Sequence, residues 1–185
     1  NGGGVTFSGG EALMQGEFLL ETLKLLKQEG INTCIDTSGY GQEEYYKEIL
    51  KYTDVIILDI KQFSHEGYRE LTGKSMNGFY KFLSYLNDFD GKVWMRHVMV
   101  PGFTDNEESM YRLFDNISHL SKKIDRIEIL PYHRMGIDKY EKLGREYKLK
   151  EVPEMNADKA KEFESILSFL LEREKEKVKR QQIIV

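Results

Sequence analysis

The chain has 185 residues, 40% of them apolar and 31% charged, with a formal net charge of −4. That is the make-up of a soluble domain with a real core, and its mild negative charge excludes bulk attraction to nucleic acid or an anionic membrane. No apolar run is long enough to cross a bilayer, and the one cysteine, Cys34, excludes an internal disulfide and any zinc or iron–sulfur site built on thiolates of this chain alone. A reducing, cytoplasmic setting is the expectation. So is a single domain over residues 1–185 that is incomplete at its N-terminal side, because the chain opens on Asn1-Gly2-Gly3-Gly4 and meets its richest motif at once.

Val5-Thr6-Phe7 reads as a strand that runs into Ser8-Gly9-Gly10-Glu11. Paired glycines permit a sharp turn and a close backbone approach to a ligand. The Glu11 carboxylate suits an amine, a cation or a hydroxyl better than a phosphate, which calls for a lysine or a bare helix N-terminus. A helix from about Gly16 to Glu29 carries Leu19, Leu20, Leu23 and Leu26 at helical spacing, with Gly30 placed as a C-cap. Ile31 to Asp36 forms the next strand and ends in the polar turn Asp36-Thr37-Ser38-Gly39-Tyr40. A helix from Glu43 to Tyr52 follows, with Tyr45, Tyr46, Ile49 and Leu50 inward. Asp54 to Lys61 holds four consecutive apolar residues, the mark of a parallel strand covered on both faces, and ends in Asp59 and Lys61.

A short helix is expected near Glu66–Leu71, and a longer one from Asn77 to Asp88 with Phe79, Phe82, Leu83 and Leu86 inward. Lys92 to Val100 is a strand in which Arg96 and His97 face opposite sides. Thr104 and Glu107 have the spacing of a capping box, opening a helix with Met110, Leu113, Phe114, Ile117 and Leu120 inward. Arg126 to His133 is the fifth strand and its end; a charged loop of about twenty residues follows, from Arg134 to Glu154. The last helix starts near Asn156 and runs to Lys175 or beyond, with Phe163, Ile166, Leu167 and Leu170 on one face.

Strands alternating with helices give an α/β fold with a parallel sheet, in which ligands bind at the C-terminal strand ends. Gly9-Gly10-Glu11, Asp36-Thr37-Ser38, Asp59 with Lys61, and His133 all fall on that rim, and Arg96 lies inside the fourth strand. Each has a plain structural alternative: a turn, an Asx cap, an Asp59–Lys61 ion pair, a structural histidine. Their convergence favours a ligand site. A mixture of acceptors and donors suits a zwitterion with a ribose, and suits a polyphosphate poorly. Cys34, within a strand, is expected to be buried and unreactive.

The run Gly2-Gly3-Gly4-Val5-Thr6-Phe7-Ser8-Gly9-Gly10-Glu11 resembles the S-adenosylmethionine-binding segment of glycyl-radical-enzyme activases of the radical S-adenosylmethionine superfamily. The likeness continues through Gly30 to Tyr40, Leu58-Asp59-Ile60-Lys61, Leu71-Thr72-Gly73, Val93 to Arg96 with Val100-Pro101-Gly102, Leu130 to Arg134, and Leu143 to Tyr147. The resemblance implies a partial (β/α) TIM-like barrel with five of six expected strands. It implies reductive cleavage of S-adenosylmethionine at a [4Fe–4S] cluster and a 5′-deoxyadenosyl radical that takes a hydrogen atom from a glycine of a partner enzyme, in anaerobic metabolism. The implied partners are a glycyl radical enzyme, with pyruvate formate-lyase foremost, and a flavodoxin or ferredoxin as electron donor.

Residue by residue, the resemblance places Gly9, Gly10 and Glu11 at the amino group of S-adenosylmethionine and Asp59, Ile60 and Lys61 near its methionine and sulfonium part. It places His133 as a further contact, Asp36, Thr37 and Asp59 at a monovalent cation, and Arg96 as the catalytic residue near the substrate glycine. The family holds its cluster on three cysteines spaced C-x-x-x-C-x-x-C upstream of this motif, and this chain has one thiol. The chain as given is therefore expected to be inactive alone. Three alternatives stay open: the activase of a different glycyl radical enzyme, a module that binds S-adenosylmethionine or the partner without redox chemistry, and an unrelated α/β barrel acting on a phosphorylated metabolite.

Overall fold

A computed structural model describes residues 3–183; Gly2, at the head of the motif, lies outside them. Five strands form one sheet in the order β1-β2-β3-β4-β5: β1 (Gly4–Phe7), β2 (Asn32–Thr37), β3 (Val55–Asp59), β4 (Lys92–Met99) and β5 (Ile124–Pro131). All four pairings are parallel. The helices are α1 (Gly16–Gln28), α2 (Glu43–Lys51), α3 (His65–Thr72), α4 (Asn77–Leu86), α5 (Glu107–Ile117), α6 (Ile137–Lys142) and α7 (Ala157–Ile183).

Strands in sequential order with crossovers of one hand put the connecting helices on the same face of the sheet. That is the arrangement of a partial TIM-like barrel rather than of a doubly wound sheet, and it leaves the other face concave. Burial alternates accordingly along β4: Val93, Met95, His97 and Met99 are buried under the helices, while Trp94, Arg96 and Val98 are half-buried on the concave side. β2 follows the same rule, with Thr33, Ile35 and Thr37 buried and Cys34 and Asp36 half-buried. The expectation that the apolar run of β3 is covered on both faces holds at its centre, where Ile56, Ile57 and Leu58 are all buried, and not at the strand's ends. Ile56 and Leu58 face the helices, whereas Val55 and Asp59 lie half-buried on the open side with Ile57 between them.

The helix layer packs as its periodicity dictates. Leu19 and Leu23 of α1, Tyr46 and Ile49 of α2, and Phe79, Phe82 and Leu86 of α4 are at most 2% exposed. The buried seam of α7 is Ala160, Phe163, Leu167 and Leu171, with Ile166 and Leu170 only half-buried. Further local expectations are revised. The cap of α5 is Asn106, whose side chain accepts from the Ser109 N–H, and not Thr104. Thr104 is buried and its hydroxyl accepts from the Val100 N–H, closing the Pro101-Gly102 turn. A 3-10 turn, Ala12–Gln15, precedes α1, and the loop after β5 contains α6.

The β4–β5 pairing shifts by one residue between Val93 and Trp94: Val93 is opposite Ile124, but Trp94 is opposite Arg126. The extra residue, Asp125, is a bulge. A one-residue shift changes which face each later side chain takes, so it brings Arg126 and Glu128 onto the concave side beside Trp94 and Arg96.

Candidate ligand site at the strand ends

The turn after β1 is built on two glycines with positive φ, Gly9 at 84° and Gly10 at 48°. Both are exposed, and a Cβ on either would touch nothing within 4 Å. Backbone conformation, not crowding within the chain, is what calls for glycine here. Glu11 departs from expectation. Its carboxylate points into its own chain, accepting from the Leu13 N–H at 3.2 Å, the Thr37 hydroxyl at 2.5 Å, and the Ser38 N–H and hydroxyl at 2.8 and 2.6 Å. With both oxygens engaged, Glu11 braces the β1 turn against the end of β2 instead of offering a free acceptor to an ammonium. Thr37 is committed in the same way: its hydroxyl also accepts from the Gly39 N–H, and its side chain is buried on the helix side.

The concave face carries the remaining charge. Arg96 Nη1 is 3.2 Å from Asp36 Oδ2, and Arg96 Nε is 3.5 Å from Glu128 Oε2. Arg126 pairs with Glu128 at 2.6 Å and lies over the Trp94 ring at 5.3 Å. At the end of β3, Lys61 Nζ is 2.5 Å from Asp59 Oδ2, while Asp59 Oδ1 is buried with no partner among the described residues. Ile60 is 0% exposed, backbone included, so it offers a ligand no surface of its own. Its N–H donates to the Arg96 carbonyl at 2.8 Å. His133 is exposed at the end of β5 with no side-chain hydrogen bond among the described residues.

The rim thus gathers Gly9, Gly10, Asp36, Asp59, Lys61 and Arg96, with His133 ending the adjacent strand. Of the proposed cation set, Asp36 and Asp59 each already face a cation of their own chain, and the Thr37 hydroxyl points away. Glu128, Arg126 and Trp94 were missed from sequence. Their signal was the i, i+2 spacing of Arg126 and Glu128 in a parallel strand, which puts two opposite charges on one face. Three carboxylates and three cations balance on this wall, which fits a zwitterion better than a polyanion.

Cys34 is half-buried on the concave face rather than fully buried. Burial pushes its thiol up, against a hydrogen bond with Thr6 that lowers it, so the sulfur is protonated at neutral pH. Among the described residues no three His, Cys, Asp or Glu side chains converge on a point that could hold a metal ion. A [4Fe–4S] cluster needs several thiolates, so this chain's own residues do not fit one. Two cavities, of about 510 and 750 Å³, lie elsewhere: one beside the C-terminal half of α7 at Phe114, Leu170 and Arg173, the other at the opposite end of the strands around Lys27, Lys51 and Asp54. Neither is lined by a residue of the rim.

Residues 1–114 match the Radical SAM superfamily. The chain is 49% identical over 172 residues to a pyruvate formate-lyase-activating enzyme of Clostridium pasteurianum, covering 93% of this chain and 71% of that protein. It is 39% identical to one of Staphylococcus epidermidis, over 91% of this chain and 69% of that protein. A pyruvate formate-lyase 1-activating enzyme of Escherichia coli K12 is 41% identical over 80% of this chain, but the match spans only 61% of that protein. Among solved structures, a domain of pyruvate-formate lyase-activating enzyme from Bacteroides vulgatus superposes with a TM-score of 0.72 at 21% identity, covering 91% and 94% of the two chains. Streptococcus suis SuiB bound to S-adenosylmethionine gives 0.61 at 19% identity, covering 92% of this chain and 36% of SuiB, a likeness of fold. These matches set aside the unrelated phosphate-binding barrel. The chain belongs to the radical S-adenosylmethionine superfamily and, within it, to the pyruvate formate-lyase-activating enzyme family.

Proposed function

We propose that this chain is the part of a glycyl-radical-enzyme activase that binds S-adenosylmethionine, with pyruvate formate-lyase as the enzyme activated. The observation that carries the reading is the balanced rim: exposed glycine backbone, an orphan carboxylate oxygen on Asp59, and Lys61 and Arg96 within the same row of strand ends. The Gly9-Gly10 backbone carbonyls would accept from the ammonium of the methionine end. Lys61 faces its carboxylate, and the Asp36, Asp59 and Glu128 wall offsets the sulfonium charge. Asp36 and Asp59 could share a monovalent cation with that carboxylate only by giving up part of their present pairing. Arg96, held between Asp36 and Glu128, would face a glycine segment of the partner enzyme within the trough.

S-adenosylmethionine enters radical chemistry by one-electron reduction at a [4Fe–4S] cluster. One cysteine does not hold that cluster, so no redox step is assigned to these residues, nor to a flavodoxin or ferredoxin donor acting on them. The same fact favours a second reading, in which the chain by itself binds S-adenosylmethionine or the partner without redox activity.

Calorimetric titration of the chain tests the binding on which the proposed function rests. S-adenosylmethionine should bind more tightly than S-adenosylhomocysteine, which lacks the sulfonium charge, and Asp59→Ala should weaken binding by about 10-fold, the size of one charge-assisted contact. A folded chain that gives no heat with S-adenosylmethionine, or that prefers a sugar phosphate, would refute the reading.

A further inference from the structure

His97 sits in the middle of β4 with its side chain on the helix face, 0% exposed. Its Nδ1 is 2.8 Å from the Ile60 carbonyl oxygen, and its Nε2 is buried with no partner among the described residues. A carbonyl only accepts, so Nδ1 carries the proton and Nε2 is bare. The ring rests against Phe63, with centroids 5.5 Å apart. A fully buried imidazole with one unsatisfied nitrogen is a costly core residue, since an apolar side chain would fill the space without an orphaned atom.

What the imidazole supplies is a hold on Ile60. β3 ends at Asp59, so Ile60 lies beyond the strand. Two bonds from β4 fix it there: its N–H donates to the Arg96 carbonyl, and its carbonyl accepts from His97. The peptide units on either side of Ile60 lead directly to Asp59 and Lys61.

We infer that His97 is a positioning residue for the ligand site, whose Nδ1–H holds the Ile60 carbonyl and so fixes the directions in which Asp59 and Lys61 present their charges. The role rests on reading that rim as the S-adenosylmethionine site. It acts from the opposite face of the sheet, through backbone, without touching the ligand.

Three measurements on the full chain test it. Nitrogen-15 spectra of the wild-type ring should show a protonated Nδ1 and a bare Nε2; the reverse tautomer overturns the inference without any variant. In His97→Phe, which keeps a ring but has no donor, Ile60 amide exchange should rise about 10-fold, a local loosening. His97→Asn, whose amide can place a donor near the position of Nδ1, should restore it. The affinity for S-adenosylmethionine should fall about 5- to 10-fold in His97→Phe, the worth of one hydrogen bond, and recover to within about 2-fold in His97→Asn. A merely structural role would lower thermal stability and leave affinity unchanged, and that pattern overturns the inference. If the wild-type chain does not bind S-adenosylmethionine, the proposed function fails, while the tautomer and exchange results still decide whether His97 holds Ile60. If His97→Phe does not fold, the wild-type tautomer and the exchange in His97→Asn decide it.

Discussion

Glu11 shows how far a side chain's role depends on what folds around it. As sequence it is a carboxylate beside two glycines, free to meet a ligand. In the structure it is a brace with four donors, three of them from Thr37 and Ser38, 26 and 27 residues along the chain. Nothing local to Gly9-Gly10-Glu11 encodes those partners, so the carboxylate's direction was not legible. The facing of Arg96 and His97 was legible, because a strand fixes it by parity alone. Glu11→Ala should destabilise the fold by about 2–3 kcal/mol, since it orphans several donors at once, as measured by urea unfolding. A cost below about 0.5 kcal/mol, the level of an ordinary surface substitution, would show that the brace is not formed.

Asp54 gives a pH-dependent counterpart at the other end of the strands. Its carboxylate accepts from the Thr33 N–H at 2.7 Å and meets Lys27 Nζ at 2.5 Å. Burial alone would raise its pKa, but Lys27 and Thr33 outweigh burial and hold the carboxyl below its ordinary value. A lowered carboxyl stabilises the fold fully above the unfolded value near pH 3.9 and progressively less as pH falls through the lowered value. With the side chain 35% exposed, solvent screening keeps the contribution modest. Asp54→Asn should cost about 1 kcal/mol at pH 7, and the gap to wild type should close as the pH drops below about 4. A gap that persists at pH 2 would contradict this assignment.

At the scale of the element, periodicity carried most of the fold. The inward faces of α1, α2 and α4 followed from spacing because each helix packs one stripe on the sheet. α7 was legible in part: Phe163 and Leu167 lie in its seam, but Ala160 and Leu171 complete it. Leu167→Ala should cost about 2–4 kcal/mol as a core truncation, whereas Phe169→Ala, at a position 62% exposed, should stay within about 0.5 kcal/mol. Thermal unfolding of the two variants separates them. The cap of α5 was misread because Thr104 and Asn106 both precede an acidic turn, and only the turn geometry decides between them. Asn106→Ala should therefore cost about 1 kcal/mol. The β5 bulge was not legible at all, because Asp125 carries no mark distinguishing a bulge from an ordinary edge residue.

At the scale of the whole molecule, one consequence of topology organises the rest. Sequential parallel strands with their connecting helices on one side leave a concave face, and the alternation of β2, β3, β4 and β5 lines it with Asp36, Asp59, Arg96 and Glu128. The sequence disclosed the rim because each strand end carried its own polar residue. It offered the Asp59–Lys61 ion pair, which the structure contains, but not the pairing between strands, which depends on register: Asp59 opposite Arg96, and Arg96 opposite Glu128. The same chain spans 71%, 69% and 61% of three activating-enzyme relatives, so what it can do by itself is a question about binding before it is one about radical chemistry.

The most direct measurement is a nitrogen-15 spectrum of the chain titrated with S-adenosylmethionine. The backbone signals of Gly9, Gly10, Asp36, Asp59, Ile60, Lys61 and His133 should shift together along one saturating curve, while those around Lys27, Asp54 and Gly91 stay still. Shifts confined to that opposite cleft, or no shifts from a folded chain, would contradict the assignment of the strand-end rim as the ligand site.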